Sequence, residues 1–277
     1  MIGLNGVEPA NEALKQCDLL IALGTAFSDR STCKNNDFTK NRKVVSINIC
    51  RNSGMSELNI TADVKCFIEQ CLENKKLFVP QEKWRMEVDV LKENIIPLEK
   101  KSNFLQSSYV LETLSEYTRY YEPVVVTDVG QHQMLNFNKP RKFITSGGLG
   151  TMGFGLPAAI GAYLAKPENL VLNITGDGSF QMNLQELATC REHHIPVKII
   201  IMNNSYLGMV RQMQEKFYNN CYQVEMTNPD FTKIAEAYDL FAVRVRTKEE
   251  LIPALEKAIR HQGTAIVDIV IDSFENI

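Results

Sequence analysis

The sequence predicts an α/β fold: a doubly wound, mostly parallel β-sheet in the larger part of the chain, preceded by a smaller, partial α/β domain. Short apolar runs at residues 124–128, 170–175 and 197–203 are typical of strands that are buried on both faces. Helix-length segments with one apolar face lie between these runs. Strands that alternate with helices favour a parallel sheet with helices packed on both sides.

The composition is that of an ordinary globular chain. Its 277 residues, 44% hydrophobic and 23% charged, suit one large domain or two. The net charge of −3 argues against a nucleic-acid partner. No signal peptide and no apolar run of about 18 residues occur, which argues against a membrane location. Seven cysteines without a CxxC pair indicate reduced thiols, so we expect a cytoplasmic protein.

The first part of the chain, residues 1–76, predicts an incomplete α/β domain. Two apolar runs predict strands at 18–24 and 43–49, and helical periodicity predicts helices at 11–16 and 63–73. Two strands rarely form an independent sheet, so part of this domain is expected to be missing.

A predicted linker, residues 77–106, separates this part from a second domain at residues 107–277. The linker is rich in lysine, contains Pro80 and Pro97, and surrounds one polar helix. In the second domain we expect Ser107 to cap the first helix. The predicted strands are 124–128, 142–145, 170–175, 197–203, 240–245 and 264–271, and the predicted helices are 107–120, 156–165, 183–193 and 248–260, with others that begin near 131, 207 and 229.

Two oxygen-bearing side chains follow neighbouring strands of the second domain. Gly176-Asp177-Gly178 ends one strand, and Asn204 ends the next, 27 residues after Asp177. Parallel strands joined by a helix end at the same edge of a sheet, which is where open α/β sheets bind ligands. Carboxylate and amide oxygens suit Mg²⁺ or Ca²⁺, and a Mg²⁺ held by few protein groups usually shares its shell with phosphate. The two glycines allow a tight turn and close approach of a ligand.

Gly130, Gln131 and His132 follow another strand and begin a helix. Free backbone N–H groups at a helix start attract phosphate, and the Gln131 and His132 side chains can donate as well. The alternative is a polar helix start at the surface. Because Asp177 and Asn204 are expected at the same edge, we favour a phosphate site.

A glycine run offers a competing interpretation. Gly148-x-Gly150-x-x-Gly153 matches the dinucleotide fingerprint, and Asp177 lies roughly where a ribose-binding acid would be expected. This pattern favours a nicotinamide-dependent dehydrogenase. The run is longer than the fingerprint requires, however, and a ribose-binding acid needs neither Gly178 after it nor Asn203-Asn204 one strand later. Close packing of a helix on a strand is an equally good explanation for Gly153 and Gly155, but a weaker one for Gly150.

The second part of the chain contains further motifs in addition to Gly176-Asp177-Gly178 with Asn204. They are residues 127–134, 139–141, 146–159 and 207–210. Together these motifs resemble the catalytic subunit of acetolactate synthase (acetohydroxyacid synthase), a family of thiamin diphosphate (ThDP) enzymes. The similarity extends almost continuously over residues 107–274, and residues 3–72 resemble, less closely, the end of the family's Rossmann-like middle domain.

The resemblance implies roles for individual residues. The side chains of Asp177 and Asn204 and the carbonyl of Tyr206 would ligate Mg²⁺, which would hold the diphosphate of ThDP. Met209 and Met213 would border the substrate, and Met209 would also contact the cofactor. The remaining residues implied to contact the cofactor are Gly130, Gln131, His132, Gly150, Met152, Gly176, Gly178, Ser179 and Met182.

The sequence also departs from this family. Family members are about twice as long and begin with a pyrimidine-binding domain that carries the glutamate needed to activate the cofactor; neither has a counterpart here, so no catalytic residue is assigned. Ala26, Asn48 and Cys50 replace family residues near the FAD site, which weakens the case for FAD. Met213 replaces a family tryptophan, which indicates a weaker preference for 2-oxobutyrate as the second substrate.

We therefore expect a ThDP- and Mg²⁺-dependent transferase component of branched-chain amino acid biosynthesis. It would condense two pyruvates to 2-acetolactate and CO₂ in a homo- or hetero-oligomer, with a partner chain that supplies the pyrimidine domain. The chain alone is expected to be inactive. The alternatives are a non-catalytic or truncated ThDP-binding fragment and the dehydrogenase described above.

Overall fold

The computed structural model describes residues 2–3, 6–32, 38–50, 55–77, 79–93, 104–134 and 142–275. The chain divides into two compact units, Met1–Glu99 and Lys100–Ile277. This division lies within the predicted linker, residues 77–106. Most of the polar helix that was predicted in the linker is present as a helix of the first unit. No helix among the described residues is both long and apolar enough to cross a membrane.

The first unit contains a three-stranded parallel sheet in the order β1-β2-β3, formed by β1 (Leu19–Leu23), β2 (Lys43–Asn48) and β3 (Leu58–Thr61). The sequence predicted two of these strands. β3 was missed because it has only four residues, and polar and apolar side chains alternate along it. The helices of the first unit are α1 (Glu8–Gln16), α2 (Asp29–Thr32), α3 (Val64–Glu73) and α4 (Glu82–Glu93), with a 3-10 turn at Lys75–Leu77.

Few side chains of the three-stranded sheet and of its neighbouring helices are buried. Leu19, Ile21 and Leu23 of β1 are exposed, and no described residue of α1 or α3 is buried. The buried apolar side chains of the sheet lie mainly in its central strand, at Val44 and Ile47. This unit therefore buries little apolar surface by itself.

The second unit contains a six-stranded sheet in the order β5-β4-β6-β7-β9-β8, in which all neighbouring strands are parallel. The strands are β4 (Val124–Thr127), β5 (Lys142–Thr145), β6 (Val171–Gly176), β7 (Lys198–Asn203), β8 (Phe241–Val245) and β9 (Ala265–Val270). The helices are α5 (Ser107–Tyr117), α6 (Gly155–Ala165), α7 (Asp177–Met182), α8 (Leu187–Glu192), α9 (Gly208–Tyr218), α10 (Phe231–Ala237) and α11 (Lys248–Arg260), with 3-10 turns at Gln131–Met134 and Leu184–Glu186.

Helices cover both faces of this sheet. Ile200 of β7 packs into an apolar cluster with α5 and α11, whereas its neighbours Ile199 and Ile201 pack into a second cluster with α6, α8 and α10. Successive strand residues point to opposite faces, so a strand covered on both sides must be apolar throughout. The predicted doubly wound α/β fold is confirmed.

Two local predictions were wrong. Asn183 does not begin a helix, as was predicted for 183–193. It ends α7, which begins at Asp177, and its side-chain N–H donates to the Gly153 carbonyl (2.7 Å). Ser107 does not cap α5 either. It is the first residue of the helix, and its backbone N–H donates to the Glu275 carboxylate (2.7 Å). Both differences arise from contacts with residues distant in sequence, which local patterns cannot encode.

Candidate functional site

A cavity of about 110 Å³ lies at the carboxyl ends of β4, β6 and β7. The chain passes from β4 to β5 on one side and then crosses to β6 on the other, so the strand order reverses between β4 and β6. Such reversals are the usual ligand sites of open α/β sheets. The predicted site residues that line this cavity are Gly130, Gln131, His132, Met152, Gly176, Asp177, Gly178, Ser179, Asn204, Tyr206 and Met209.

Three predicted residues are not among those that line the cavity. Gly150 adopts a left-handed backbone conformation (φ +64°) in the turn before α6. Met182 is 54% exposed, and Met213, on α9, is 36% exposed. Their predicted contacts with cofactor or substrate stay predictions.

Asp177 is the most tightly held residue of the site. It is 2% exposed, and its Oδ2 accepts hydrogen bonds from the Ser205 N–H (2.7 Å) and from Asn228 Nδ2 (2.7 Å). Its Oδ1 accepts the Gly178 N–H (2.9 Å), and the Asn204 backbone also donates to this carboxylate. Burial raises the pKa of Asp177, and the bond from Asn228 is the first of several that oppose this rise. A carboxylate oxygen in this position can ligate a hard cation such as Mg²⁺.

A tight turn places Asn204 and Tyr206 beside this carboxylate. Ser205 adopts a left-handed conformation (φ +57°), and its N–H donates to Asp177 as described above. The Asn204 Oδ1 accepts the Tyr206 N–H (3.0 Å), and the Asn204 carbonyl accepts a bond from Ser273 Oγ (2.8 Å). Backbone strain at a non-glycine residue is typical of functional turns.

The donor set of the site is one carboxylate, one amide oxygen and a neighbouring backbone carbonyl. No cluster of three or more His, Cys, Asp or Glu residues that could hold a metal occurs in the part of the chain that the structure describes. This set does not suit Zn²⁺, which prefers nitrogen and sulfur. It fits Mg²⁺, whose remaining positions are commonly filled by water and phosphate oxygens.

His132 and Gln131 line the cavity, but their side-chain donors are engaged elsewhere. His132 Nε2 lies 3.0 Å from the Asp128 carbonyl; because a carbonyl only accepts, Nε2 carries the proton and Nδ1 is an acceptor. Burial lowers the pKa of His132 to about 4, so the ring is neutral at neutral pH. Gln131 Nε2 donates to Gln212 (2.9 Å) and to the Glu275 carbonyl (3.0 Å). In this arrangement neither side chain donates to a phosphate.

The start of α9 provides other donors that the sequence analysis did not single out for this role. Gly208, Met209 and Val210 form its first turn and line the cavity. The first-turn N–H groups of a helix have no partner within the helix. Leu207, which precedes them, cannot cap the helix with its apolar side chain. An anion in the cavity would therefore face a helix N-terminus.

The glycine run binds a protein carboxylate. Asp128, at the end of β4, accepts the N–H groups of Gly153 (3.1 Å) and Gly155 (2.7 Å) at the start of α6. A Cβ atom at position 155 would lie 2.5 Å from Asn173 Oδ1 and 2.9 Å from Asp128 Oδ2. The position that a pyrophosphate would need at this helix is therefore occupied, which argues against the dinucleotide interpretation. Close packing explains both glycines.

Sequence reasoning missed Asn228, which lies between α9 and α10 and donates to Asp177. The only local signal was its place in Asn228-Pro229-Asp230, the segment before a helix, where Asp230 caps α10 with its side chain. Such segments are common, and nothing in the spacing relates Asn228 to Asp177, which is 51 residues away.

Comparisons with known proteins match the two units to one family. Residues 128–269 match the C-terminal TPP binding domain of thiamine pyrophosphate enzymes, and residues 1–73 match the central domain of the same family. Thiamine pyrophosphate (TPP) is another name for ThDP. Both matches agree with the resemblance found in the sequence.

Individual relatives are acetolactate synthases, and the first two named here are large subunits of that enzyme. The chain is 36% identical over 300 residues to that of Cyanidium caldarium, with 100% of this chain and 50% of the relative covered. It is 38% identical over 299 residues to that of Pyropia yezoensis (100% and 49%). It is 37% identical over 302 residues to acetolactate synthase 2, chloroplastic, of Nicotiana tabacum (100% and 45%). The chain spans about half the length of these curated relatives. With its central and TPP-binding regions both matched, the chain belongs to the thiamine pyrophosphate enzymes.

Proposed function

We propose that this chain supplies the Mg²⁺- and diphosphate-binding half of an acetolactate-synthase-like enzyme, which converts two pyruvates to 2-acetolactate and CO₂. The observation that carries the proposal is the meeting of Asp177 and Asn204 at a cavity on the carboxyl edge of the sheet. The similarity to acetolactate synthase large subunits over the whole chain supports this reaction in preference to other ThDP reactions.

In this proposal Asp177 Oδ1, Asn204 Oδ1 and the Tyr206 carbonyl hold Mg²⁺, and the diphosphate binds between the metal and the start of α9. Bound ThDP would supply the carbanion chemistry needed to add to a pyruvate carbonyl and to stabilise the electrons released with CO₂. The chain binds and orients this group. Met152 and Met209 give the cavity an apolar wall, and Ser179 Oγ donates to the Val129 carbonyl (3.0 Å), which fixes the segment after β4.

The size and chemistry of the cavity support a partner. Pockets for whole ligands usually measure roughly 300–1,000 Å³, and about 110 Å³ suits only the diphosphate end. Among the described residues that line the cavity, the titratable side chains are His132, Asp177 and Tyr206. Asp177 is assigned to the metal and His132 is held neutral, so the carboxylate that activates the cofactor would come from a partner that supplies the pyrimidine domain.

FAD is not part of this proposal. Asn48, one of the residues that depart from the family pattern, donates its side-chain amide to the Thr25 carbonyl (3.1 Å) and accepts the Cys50 N–H (3.2 Å). These bonds give Asn48 a role within the loops of the first unit without a flavin.

Two measurements test the proposal. In calorimetry, the chain should bind ThDP in the presence of Mg²⁺ but should not bind NAD. Asp177→Ala should weaken ThDP binding by at least about 100-fold, because changes in groups around metal ligands alone cost about 10- to 100-fold. Retention of Mg²⁺-dependent binding by this variant would contradict the assignment of the metal site.

An activity assay tests the division of the site between two chains. Acetolactate formation from pyruvate should require the chain together with a separately expressed segment that contains the pyrimidine domain of an acetolactate synthase large subunit. Rapid turnover by the chain alone would refute the split site. ThDP binding without turnover in the mixture would favour a non-catalytic binding role.

A further inference from the structure

We propose that Asn228 is a positioning residue that orients the Asp177 carboxylate so that only one of its oxygens faces the metal. The inference rests on the proposed function, because it assumes that Asp177 ligates Mg²⁺. Asn228 lies in the segment between α9 and α10, outside the motifs that identified the site, and is not among the residues that line the cavity.

The contacts of Asn228 fix the orientation of its own amide. Its Nδ2 donates to Asp177 Oδ2 (2.7 Å) and to Asn203 Oδ1 (2.9 Å). Its Oδ1 accepts a bond from Gln181 Nε2 (3.0 Å). A carboxylate can only accept hydrogen bonds, so the NH₂ group must face Asp177, and both of its protons are then used.

This arrangement makes the two oxygens of Asp177 unequal. Oδ2 accepts from both Asn228 and Ser205, which fills its usual capacity, whereas Oδ1 accepts the neighbouring Gly178 N–H. A cation is therefore directed to Oδ1 alone. One-oxygen coordination suits the octahedral shell of Mg²⁺, whereas Ca²⁺ also accepts carboxylates through both oxygens.

A chain of hydrogen bonds holds Asn228 in place. It begins at Asn228 and ends at Asp230, in the same segment. Asn203 Nδ2 donates to Asp268 Oδ1 (2.9 Å), and Arg244 Nε donates to Asp268 Oδ2 (2.8 Å). Arg244 Nη2 then donates to Asp230 Oδ1 (2.9 Å), two residues beyond Asn228. Asp268 is fully buried. Because β7, β8 and β9 carry these partners, the sheet fixes both ends of the segment 228–230.

The test uses Mg²⁺ with inorganic pyrophosphate, a probe that needs only the diphosphate end of the site. Asn228→Ala and Asn228→Leu, which preserves more of the side-chain volume, both remove the donor to Asp177. Calorimetry should show Mg²⁺-pyrophosphate binding weakened by about 10- to 100-fold in both variants. Binding of Ca²⁺-pyrophosphate should weaken less, so that the preference for Mg²⁺ over Ca²⁺ falls.

Thr264→Val is the matched control. Thr264 is buried at the opposite end of the sheet, and its Oγ1 donates to the Ile195 carbonyl (2.6 Å). The control also loses a buried hydrogen bond, so its Tm in EDTA should fall, but its affinity for Mg²⁺-pyrophosphate should be unchanged. An equal loss of affinity in this control would mean that general destabilisation explains the effect, which would overturn the inference.

Asp177→Ala separates failure of the inference from failure of the proposed function. If Asp177→Ala abolishes binding while both Asn228 variants stay within about threefold of the unsubstituted chain, a difference of less than 1 kcal/mol, the inference is wrong and the metal site stands. If Asp177→Ala binds normally, the metal assignment fails, and the role of Asn228 fails with it.

Discussion

The two ends of the six-stranded sheet both bury polar side chains but use them differently. At the carboxyl end, Asp177 and Asn204, which carry a carboxylate and an amide oxygen, line a cavity. At the amino end, Lys198 Nζ donates to the carbonyls of His261 (2.6 Å) and Gly263 (2.7 Å). Thr264 likewise donates to a backbone carbonyl. The polar groups named at the amino end hold chain connections together, whereas Asp177 and Asn204 at the carboxyl end line a cavity.

Neither cavity size nor a perturbed pKa distinguishes the two ends. A cavity of about 320 Å³, lined by Cys190, His194 and His261 among others, lies at the amino end and is larger than the candidate site. Burial lowers the pKa of Lys198 to about 8 and raises that of Cys190 to about 11. What distinguishes the carboxyl end is the pair of hard-oxygen side chains, Asp177 and Asn204, at a strand-order reversal, which is a more specific signal of function.

The largest expected effect is at the carboxyl end, in Asp128→Ala. Removal of this carboxylate leaves the N–H groups of Val129, Gly153 and Gly155 without their acceptor. We expect the free energy of unfolding to fall by about 3 kcal/mol or more, since each buried orphan donor costs about 1–3 kcal/mol. ThDP binding should weaken as well, because Met152, which precedes Gly153, lines the cavity. Urea denaturation and calorimetry measure the two effects.

Asp239→Asn is the control for this prediction, because Asn tolerates the left-handed backbone conformation of Asp239 (φ +53°). Asp239 lies at the amino end, and its side chain is 81% exposed. Its loss should change stability by no more than about 0.5 kcal/mol. Equal stability of the Asp128 and Asp239 variants would contradict the role of Asp128 in holding α6.

The second prediction concerns pH and His132. The pKa of His132 is lowered from 6.5 to about 4 by burial, so between these values the unfolded chain binds more protons than the folded one. Stability must therefore fall as the pH decreases through this window. From pH 7 to pH 5 the contribution is about 2 kcal/mol. Urea denaturation at both pH values should show a smaller decrease in His132→Gln, and parallel curves would contradict a buried neutral imidazole.

The third prediction tests whether a polar group at the amino end affects stability without affecting ligand binding. Lys198→Met at the amino end should lower stability by about 1 kcal/mol through the loss of its bonds to two carbonyls. The lowered pKa of Lys198 means that the unfolded chain holds its proton to higher pH. The unsubstituted chain should therefore gain stability between pH 8 and about pH 10, and the variant should gain less. ThDP affinity, measured by calorimetry at pH 7, should be unchanged.

The smallest effect is expected from Ser273→Ala. Ser273 Oγ donates to the Asn204 carbonyl (2.8 Å) and so stabilises the turn that contains Asn204 and Tyr206. Its loss should reduce stability by about 0.5 kcal/mol and weaken Mg²⁺-dependent ThDP binding about twofold. A loss of affinity above about tenfold would show that the segment after β9 contacts the ligand more directly than proposed.

The sequence predicted the alternating strands and helices well because buried parallel strands are continuously apolar and the helices between them carry one apolar face. It also predicted that Asp177 and Asn204 would meet, since both follow neighbouring parallel strands. It could not predict the partners of the glycine run. Asp128 and Gly155 are 27 residues apart, and a GxGxxG pattern suits a protein carboxylate as well as a phosphate.

Other features escaped prediction for similar physical reasons. Asn228 has no periodicity or spacing that relates it to Asp177, and its role follows from the geometry of the folded sheet. The engaged donors of Gln131 and His132 depend on Glu275 and on a backbone carbonyl, neither of which a sequence pattern specifies. The 3-10 turn and left-handed residue around the site follow from these long-range contacts.

The residues that meet at the carboxyl end come from five separate stretches of chain, around Asp128, Asp177, Asn204, Asn228 and Ser273. The site therefore cannot exist until widely separated strands have paired, and contacts of such long range are slow to form during folding. Ligand binding should then report the completion of folding. A ligand that binds only the assembled edge should also raise the Tm of the whole unit in proportion to the logarithm of its concentration.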